Sequence, residues 1–194
     1  DFHYSDNWAD PEKQVVPKAW RGVANNTQLL GDSLYNYTYK VLSALHNENL
    51  LPEMVQVGNE INAEILQDPN KTHGPIDWGR NASLLKRGLQ AVRDAADDFE
   101  AKIEIMLHIA QPENALWWFE EATANGVTDY DWIALSYYPI WSSYSLEALP
   151  SAIKTLHSTY KKEVMVVETA YPFSLTDVDN ANNILNNTAL ISGF

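Results

Sequence analysis

Two hydrophobic periods alternate along the chain. Apolar runs rich in β-branched and aromatic residues occur at 1–4, 54–59, 102–109, 131–138 and 163–167. Runs of that length and composition read as strands, and Val164, Met165, Val166 and Val167 read as a fully buried one. Between the runs, apolar residues fall three and four apart. Leu34, Tyr37, Val41 and Leu45 make one such face; Leu85, Leu89, Val92 and Ala96 make a second; Leu146, Leu149, Ile153, Leu156 and Tyr160 make a third. Each predicts a helix with a single buried side. Asp32-Ser33 predicts the N-cap of the first helix. Pro17, Gly22 and the Asn25-Asn26-Thr27 cluster keep the segment before it irregular. Pro112 opens a further helix, where its missing N–H costs nothing, and Asn125-Gly126 closes it. Residues 177–187 read as helical in part.

Strict alternation of strand and helix predicts parallel strands joined by crossover helices. A doubly wound open sheet and a (β/α)8 barrel both satisfy that order. The strands end in polar or aromatic residues: Asp1 and His3, Asn59 and Glu60, His108, Tyr137 and Tyr138, Glu168. In a barrel all those ends open onto one site. An open sheet would use its switch point, and no glycine-rich phosphate loop follows any strand. The fold class is therefore read as α/β, a (β/α)8 TIM barrel, with the chain covering about strand 3 to helix 7. On that reading two strands precede residue 1 and one follows residue 194. Residues 1–194 then form a single portion of a catalytic barrel, whose open edges would favour instability or oligomerisation.

Composition narrows the function classes. The 194 residues are 45% hydrophobic and 20% charged, enough for one sizeable core. A net charge of −13 argues against nucleic acid and anionic membranes as partners. No run of 18 apolar residues is present, so no membrane-spanning segment is expected. Cysteine is absent, so disulfides give no clue to compartment. The aromatic load, with seven Trp and ten Tyr, fits a protein that stacks rings on sugars. Asn-x-Ser/Thr sequons occur at Asn25, Asn36, Asn70, Asn81 and Asn186, open to glycosylation in a eukaryotic secreted protein.

The candidate chemistry lies in two stretches. Val57-Gly58-Asn59-Glu60 and Val167-Glu168 each bring an apolar strand to an end on a glutamate. Two carboxyl groups facing one another suit glycosidic bond cleavage. One must keep a proton and the other must be ionised. Glu60, beside an amide able to bond a sugar 2-hydroxyl, is the better acid/base. Glu168, with Tyr138 as a plausible hydrogen-bonding neighbour, is the better nucleophile.

Asp1-Phe2-His3-Tyr4-Ser5-Asp6, Trp8-Ala9-Asp10-Pro11, Val57-Gly58-Asn59-Glu60, Ser136-Tyr137-Tyr138-Pro139 and Glu168-Thr169-Ala170-Tyr171-Pro172 together resemble family 53 of the glycoside hydrolases. These are endo-β-1,4-galactanases acting on arabinogalactan type I, in the wider clan A of retaining barrels. The resemblance runs in order along essentially the whole chain, and the opening motif is its most specific part. It implies a secreted enzyme, extracellular or at the cell surface or periplasm, that cuts β-1,4-galactan with Glu60 as acid/base and Glu168 as nucleophile. An arginine expected on the second strand, and the aromatic wall of the eighth, are not in this chain.

The remaining candidates follow from that resemblance. Asp1 and His3 face one side of a strand and would contact the sugar at the cleavage site. Trp8 and Asp10 would form a platform and a hydroxyl contact. Asn59, His108, Tyr138 and Trp141 complete the predicted substrate-binding set, with a satisfied core histidine the alternative for His108. Trp117 and Trp118 read as packing residues of a helix. Asp177, Asp179 and Asn183 place oxygen ligands at intervals suited to a structural calcium ion, the one cofactor considered; a polar helix start is the alternative. Two other functions remain open: another clan A glycanase acting on xylan, mannan or glucan, and a galactan-binding barrel without activity.

Overall fold

The computed structural model describes residues 1–69 and 74–170. Within them lie four strands: β1 (Met54–Gln56), β2 (Glu104–Ala110), β3 (Trp132–Ser136) and β4 (Glu163–Glu168). Four helices intervene or precede: α1 (Thr27–Asn47), α2 (Trp78–Asp98), α3 (Pro112–Ala124) and α4 (Leu149–Tyr160). A short 3₁₀ helix, Lys18–Val23, leads into α1. The strands pair in chain order, β1-β2-β3-β4, and every pairing is parallel. Phe2 extends the sheet on the far side of β1 through a parallel bridge to Val57, with its N–H donating to the Gln56 carbonyl at 3.0 Å. Parallel neighbours in sequence order with a helix in each crossover are the repeat of a (β/α)8 barrel. All strand ends therefore face one way.

Helix α1 starts earlier than expected. Asn26, not Asp32 or Ser33, is its N-cap; Asn26 Oδ1 accepts the Leu29 N–H at 3.1 Å. Starting there adds Leu30 to the buried stripe ahead of Leu34 and Leu42. Asp32 instead accepts from Arg87 of α2 at 2.8 Å, tying the two helices together. Asp77 caps α2 by accepting from the Arg80 N–H at 3.1 Å. Helix α3 stops where Gly126, at φ +75°, turns the chain out of the helix.

The core lies between the sheet and the inner helix faces. Leu84, Leu85, Leu89 and Val92 of α2 meet Val55, Ile105 and Leu107 of the sheet, and Trp118 and Phe119 of α3 are fully buried. Trp117, on the outer side of α3, is exposed.

Strand β4 departs from the expectation of full burial. Its residues are exposed or half-buried and none is fully buried, with Met165 36% exposed. Among the described residues β4 is the last strand of the sheet, with a partner on one side alone. The apolar run signals a strand suited to two-sided burial, and the described residues cover only part of it. Of the sequons, Asn25 and Asn36 are exposed, whereas Asn81 is buried with Oδ1 accepting the Ile65 N–H at 3.0 Å. That sequon is closed to modification in the folded chain. No helix among the described residues is long and apolar enough to cross a membrane.

Candidate active site

Glu60 reaches the strand-end surface through an irregular turn. Strand β1 stops at Gln56, and Gly58 follows at φ +87°. A Cβ on Gly58 would come within 2.6 Å of Ile61 Cγ2, so the position needs glycine twice over. Glu60 itself sits at φ +44°, an uncommon conformation for a non-glycine residue. Strain of that kind is held where surrounding structure enforces it, often at functional sites. Here the enforcing bonds are Ile61 N–H to the His108 carbonyl at 2.9 Å, and Asn62, whose amide brackets Ala110 N and O at 2.7 and 2.8 Å.

Glu168 is placed by an irregularity in β4. The register runs Leu135 with Val166, then Ser136 with Glu168, so Val167 is skipped. A bulge of this kind re-aims the next side chain. It sets Glu168 across from Ser136, and the Tyr138 hydroxyl donates to Glu168 Oε2 at 2.9 Å.

The two glutamates meet. One oxygen of each, together with a ring nitrogen of His108, lie within 4.8 Å of one another. Ser136 Oγ is 2.6 Å from Glu60 Oε1, and His108 Nε2 is 2.8 Å from Ser136 Oγ. Burial, then the charges of Glu168 and Asp10, raise the Glu60 pKa; the hydrogen bond with Ser136 and the charge of His3 oppose them. Burial pushes the Tyr138 hydroxyl up to about 12, aided by its bond to Glu168, so it stays a donor. Among the described residues, Glu60, His108 and Glu168 form a group close enough to share a metal ion. The hydrogen bonds each already makes account for their proximity without one.

A cleft of about 560 Å³ opens over the pair, lined by Trp8, Asp10, Glu12, Asn62, Gln111, Asn114, Tyr138 and Trp141 besides Glu60 and Glu168. Trp8 and Trp141 are 76% and 56% exposed, large flat surfaces left open to solvent. The Trp8 ring packs near His3 at 5.1 Å, and Trp141 packs against Tyr138 at 5.0 Å. Asp10 is already engaged, accepting from Lys13 Nζ at 2.6 Å. Asp1 and His3 share one side, as alternation predicts, with His3 Nε2 2.8 Å from Asp1 Oδ2. Gln56 Nε2 donates to the other Asp1 oxygen at 2.8 Å. Burial lowers the His3 pKa, while the charges of Glu168 and Glu60 raise it, so the ring lies within electrostatic reach of both.

Two predicted substrate contacts need revision. His108 is 0% exposed and presents no surface to the cleft; it acts on the carboxyl groups from beneath. A strand-end histidine on β2 points into the layer under the site, between Asn59 and Ser136, rather than out of it. Asn59 is 3% exposed, with Nδ2 donating to the Ala9 carbonyl at 2.9 Å and Oδ1 accepting from His108 and Gln56. Only its second Nδ2 hydrogen is left for a sugar. Asn62 and Gln111 carry no signal in the sequence, and Ser136 stands there only as part of a motif, without a role of its own. Gln111 sits at φ +66° before Pro112 and accepts from the Tyr138 N–H at 3.2 Å. Asp177, Asp179 and Asn183 lie outside the described residues.

The profile of glycosyl hydrolase family 53 matches residues 1–194. An arabinogalactan endo-beta-1,4-galactanase of Cellvibrio japonicus is 55% identical over 98% of this chain and 50% of its own length. An endo-beta-1,4-galactanase of Bacillus subtilis is 38% identical over 94% of this chain and 40% of its own length. Among solved structures, the Ignisphaera aggregans GH53 catalytic domain superposes with a TM-score of 0.84 at 36% identity, covering 99% of this chain and 51% of that one. The chain thus spans about half the length of the curated relatives it matches, and its fold is the corresponding part of the family's (β/α)8 barrel. This protein belongs to glycosyl hydrolase family 53.

Proposed function

We propose that the protein, at its natural length, is a secreted endo-glycosidase that hydrolyses internal β-1,4-galactosidic bonds of galactan with retention of configuration. One observation carries this reading: Glu60 and Glu168, far apart in sequence, bring carboxyl oxygens within 4.8 Å of each other under one cleft. Retaining glycosidases hold their carboxyl groups about 5–5.5 Å apart, whereas inverting ones leave room for a water at about 6.5–9.5 Å. The names of the relatives supply the choice of galactan.

In this mechanism Glu168 attacks the anomeric carbon as the glycosidic C–O bond breaks, and the leaving oxygen takes the proton of Glu60. A glycosyl ester on Glu168 results. Water then attacks the same carbon, Glu60 takes its proton, and the ester C–O bond breaks to restore both groups. Tyr138 steadies the Glu168 carboxylate before attack. Trp8 and Trp141 stack on sugar faces along the cleft, and Asp10, His3, Asp1 and Asn59 bond hydroxyls or hold the groups that do.

The test is hydrolysis of β-1,4-galactan beside xylan, mannan and glucan, with the anomer of the first product read by proton NMR. Release of β-configured galacto-oligosaccharides, lost in Glu60→Gln and Glu168→Gln, supports the reading. Binding of galactan without release of oligosaccharides, or activity confined to another glycan, defeats it.

A further inference from the structure

The hydrogen-bond chain behind Glu60 can be wired with protons in two ways, and the shorter contacts favour one. Asn59 fixes its start. Its Nδ2 donates to the Ala9 carbonyl at 2.9 Å, a partner that can only accept, so Oδ1 is the atom turned toward His108 Nδ1 at 3.1 Å. Gln56 Nε2, anchored on Asp1, approaches the same Oδ1 at 3.3 Å. A carbonyl oxygen cannot donate, so a bond at this contact needs hydrogen on His108 Nδ1. The other wiring leaves Nδ1 bare to accept the Glu60 backbone N–H at 3.4 Å, the longer contact, and sets Nδ1 against Oδ1 at 3.1 Å with no hydrogen between them. His108 is fully buried, with its pKa pushed down to about 4 by desolvation and by the charge of His3, so the ring is neutral. Nε2 is then bare and accepts the Ser136 hydroxyl hydrogen at 2.8 Å. A serine has one such hydrogen. The 2.6 Å contact between Ser136 Oγ and Glu60 Oε1 must therefore be made with hydrogen supplied by Glu60.

We infer that Ser136 and His108 are positioning residues that latch the proton onto Glu60: His108 occupies the Ser136 hydroxyl hydrogen, leaving Oγ able only to accept from a protonated carboxyl. This deepens the reading of Glu60 as the acid and rests on it. When Glu60 gives its proton to the leaving oxygen, the Ser136 hydrogen stays on His108, so the latch favours return of a proton to Glu60 as water attacks. The other charged or titratable groups facing Glu60 are Glu168 at the end of β4, Tyr138 after β3, and Asp10 and His3 from the N-terminal segment.

The latch makes a prediction opposite in sign to an ordinary hydrogen bond. If Ser136 simply donated to a Glu60 carboxylate, removing it would raise the Glu60 pKa. With the latch, removing it takes away an acceptor for the acid form. Ser136→Ala is therefore expected to move the basic limb of kcat/KM to lower pH, by about 0.7 unit for one net hydrogen bond, with Ser136→Thr restoring it. An upward shift, or none, overturns the latch. The second measurement needs no activity: nitrogen-15 NMR of histidine-labelled protein at its natural length. His108 is expected as the Nδ1–H tautomer while Glu60 is protonated, with its Nε2 resonance moving as Glu60 titrates and staying still in Glu60→Gln. An Nε2–H tautomer at the acidic end overturns the inference. A protein that fails to cleave galactan would refute the proposed function, while the His108 tautomer would still decide the latch.

Discussion

The Tyr138 hydroxyl donates a 2.9 Å hydrogen bond to Glu168 Oε2. The two residues are thirty apart in sequence and come together because β3 and β4 are neighbours and the bulge after Val166 turns Glu168 toward β3. A hydrogen bond to an ionised group is worth about 1.5–3 kcal/mol. Tyr138→Phe should thus lower kcat about 10–100-fold with little change in stability, checked by steady-state kinetics and urea unfolding side by side.

Glu60 is the proton donor in the proposed mechanism, and its pKa is raised chiefly by burial. Activity should fall as pH rises through that raised pKa, because the acid form is lost. Glu60→Ala should remove this basic limb and cost about 10²–10⁴-fold on galactan. Substrates with a good leaving group need no proton and should be spared. Azide added to Glu60→Ala should restore turnover and yield a β-galactosyl azide, read by mass spectrometry and NMR.

Much of this arrangement was legible in the chain itself. Four of the five β-rich runs form strands and the run at 1–4 forms only a bridge at Phe2, while the three- and four-residue spacing marks the helices, because both periods follow from which side must be buried. Glu60, Glu168, Tyr138 and the two cleft tryptophans stand where strand ends and aromatic loops suggested. What escaped notice depends on tertiary contact. Asn26 outcompetes Asp32 as a cap because Asp32 finds Arg87 on another helix, which no local pattern reveals. The skipped Val167 is invisible in an apolar run, since a bulge and a regular strand share the same composition. His108 reads from the chain either as a substrate contact or as a core histidine, and the structure puts it beneath the carboxyl groups because the chain does not record how deep a strand end sits. Ser136 is a small polar residue at a strand end, and only its distance to Glu60 gives it a role.

Gly58 carries the turn that presents Asn59 and Glu60. Its positive φ and the 2.6 Å approach to Ile61 leave no room for a side chain. Gly58→Ala should destabilise the fold by more than about 1 kcal/mol, since strain and steric conflict add. It should also reduce activity beyond what the loss of folded protein explains. Thermal unfolding and kinetics at saturating galactan check the two parts separately.

His108 links stability to pH. Its pKa in the folded chain is about 4, against 6.5 for the free side chain, because burial disfavours the charged ring. Between those values the unfolded chain binds the extra proton, so stability is complete above about pH 6.5 and is lost as pH falls toward 4. The contribution is on the order of 3 kcal/mol. Urea unfolding should show this loss in the unaltered protein. In His108→Gln the stability between the same two pH values should be flatter.

The account turns on Glu168 forming the bond to sugar while Glu60 moves the proton. Inactivation with a 2-deoxy-2-fluoro-galactoside bearing an activated leaving group, followed by peptide mapping, reads that bond directly. A single fluorosugar on the peptide containing Glu168, absent in Glu168→Gln, is the predicted result. A label on Glu60 or any other residue, or no label from a protein that releases the inverted anomer, would contradict it.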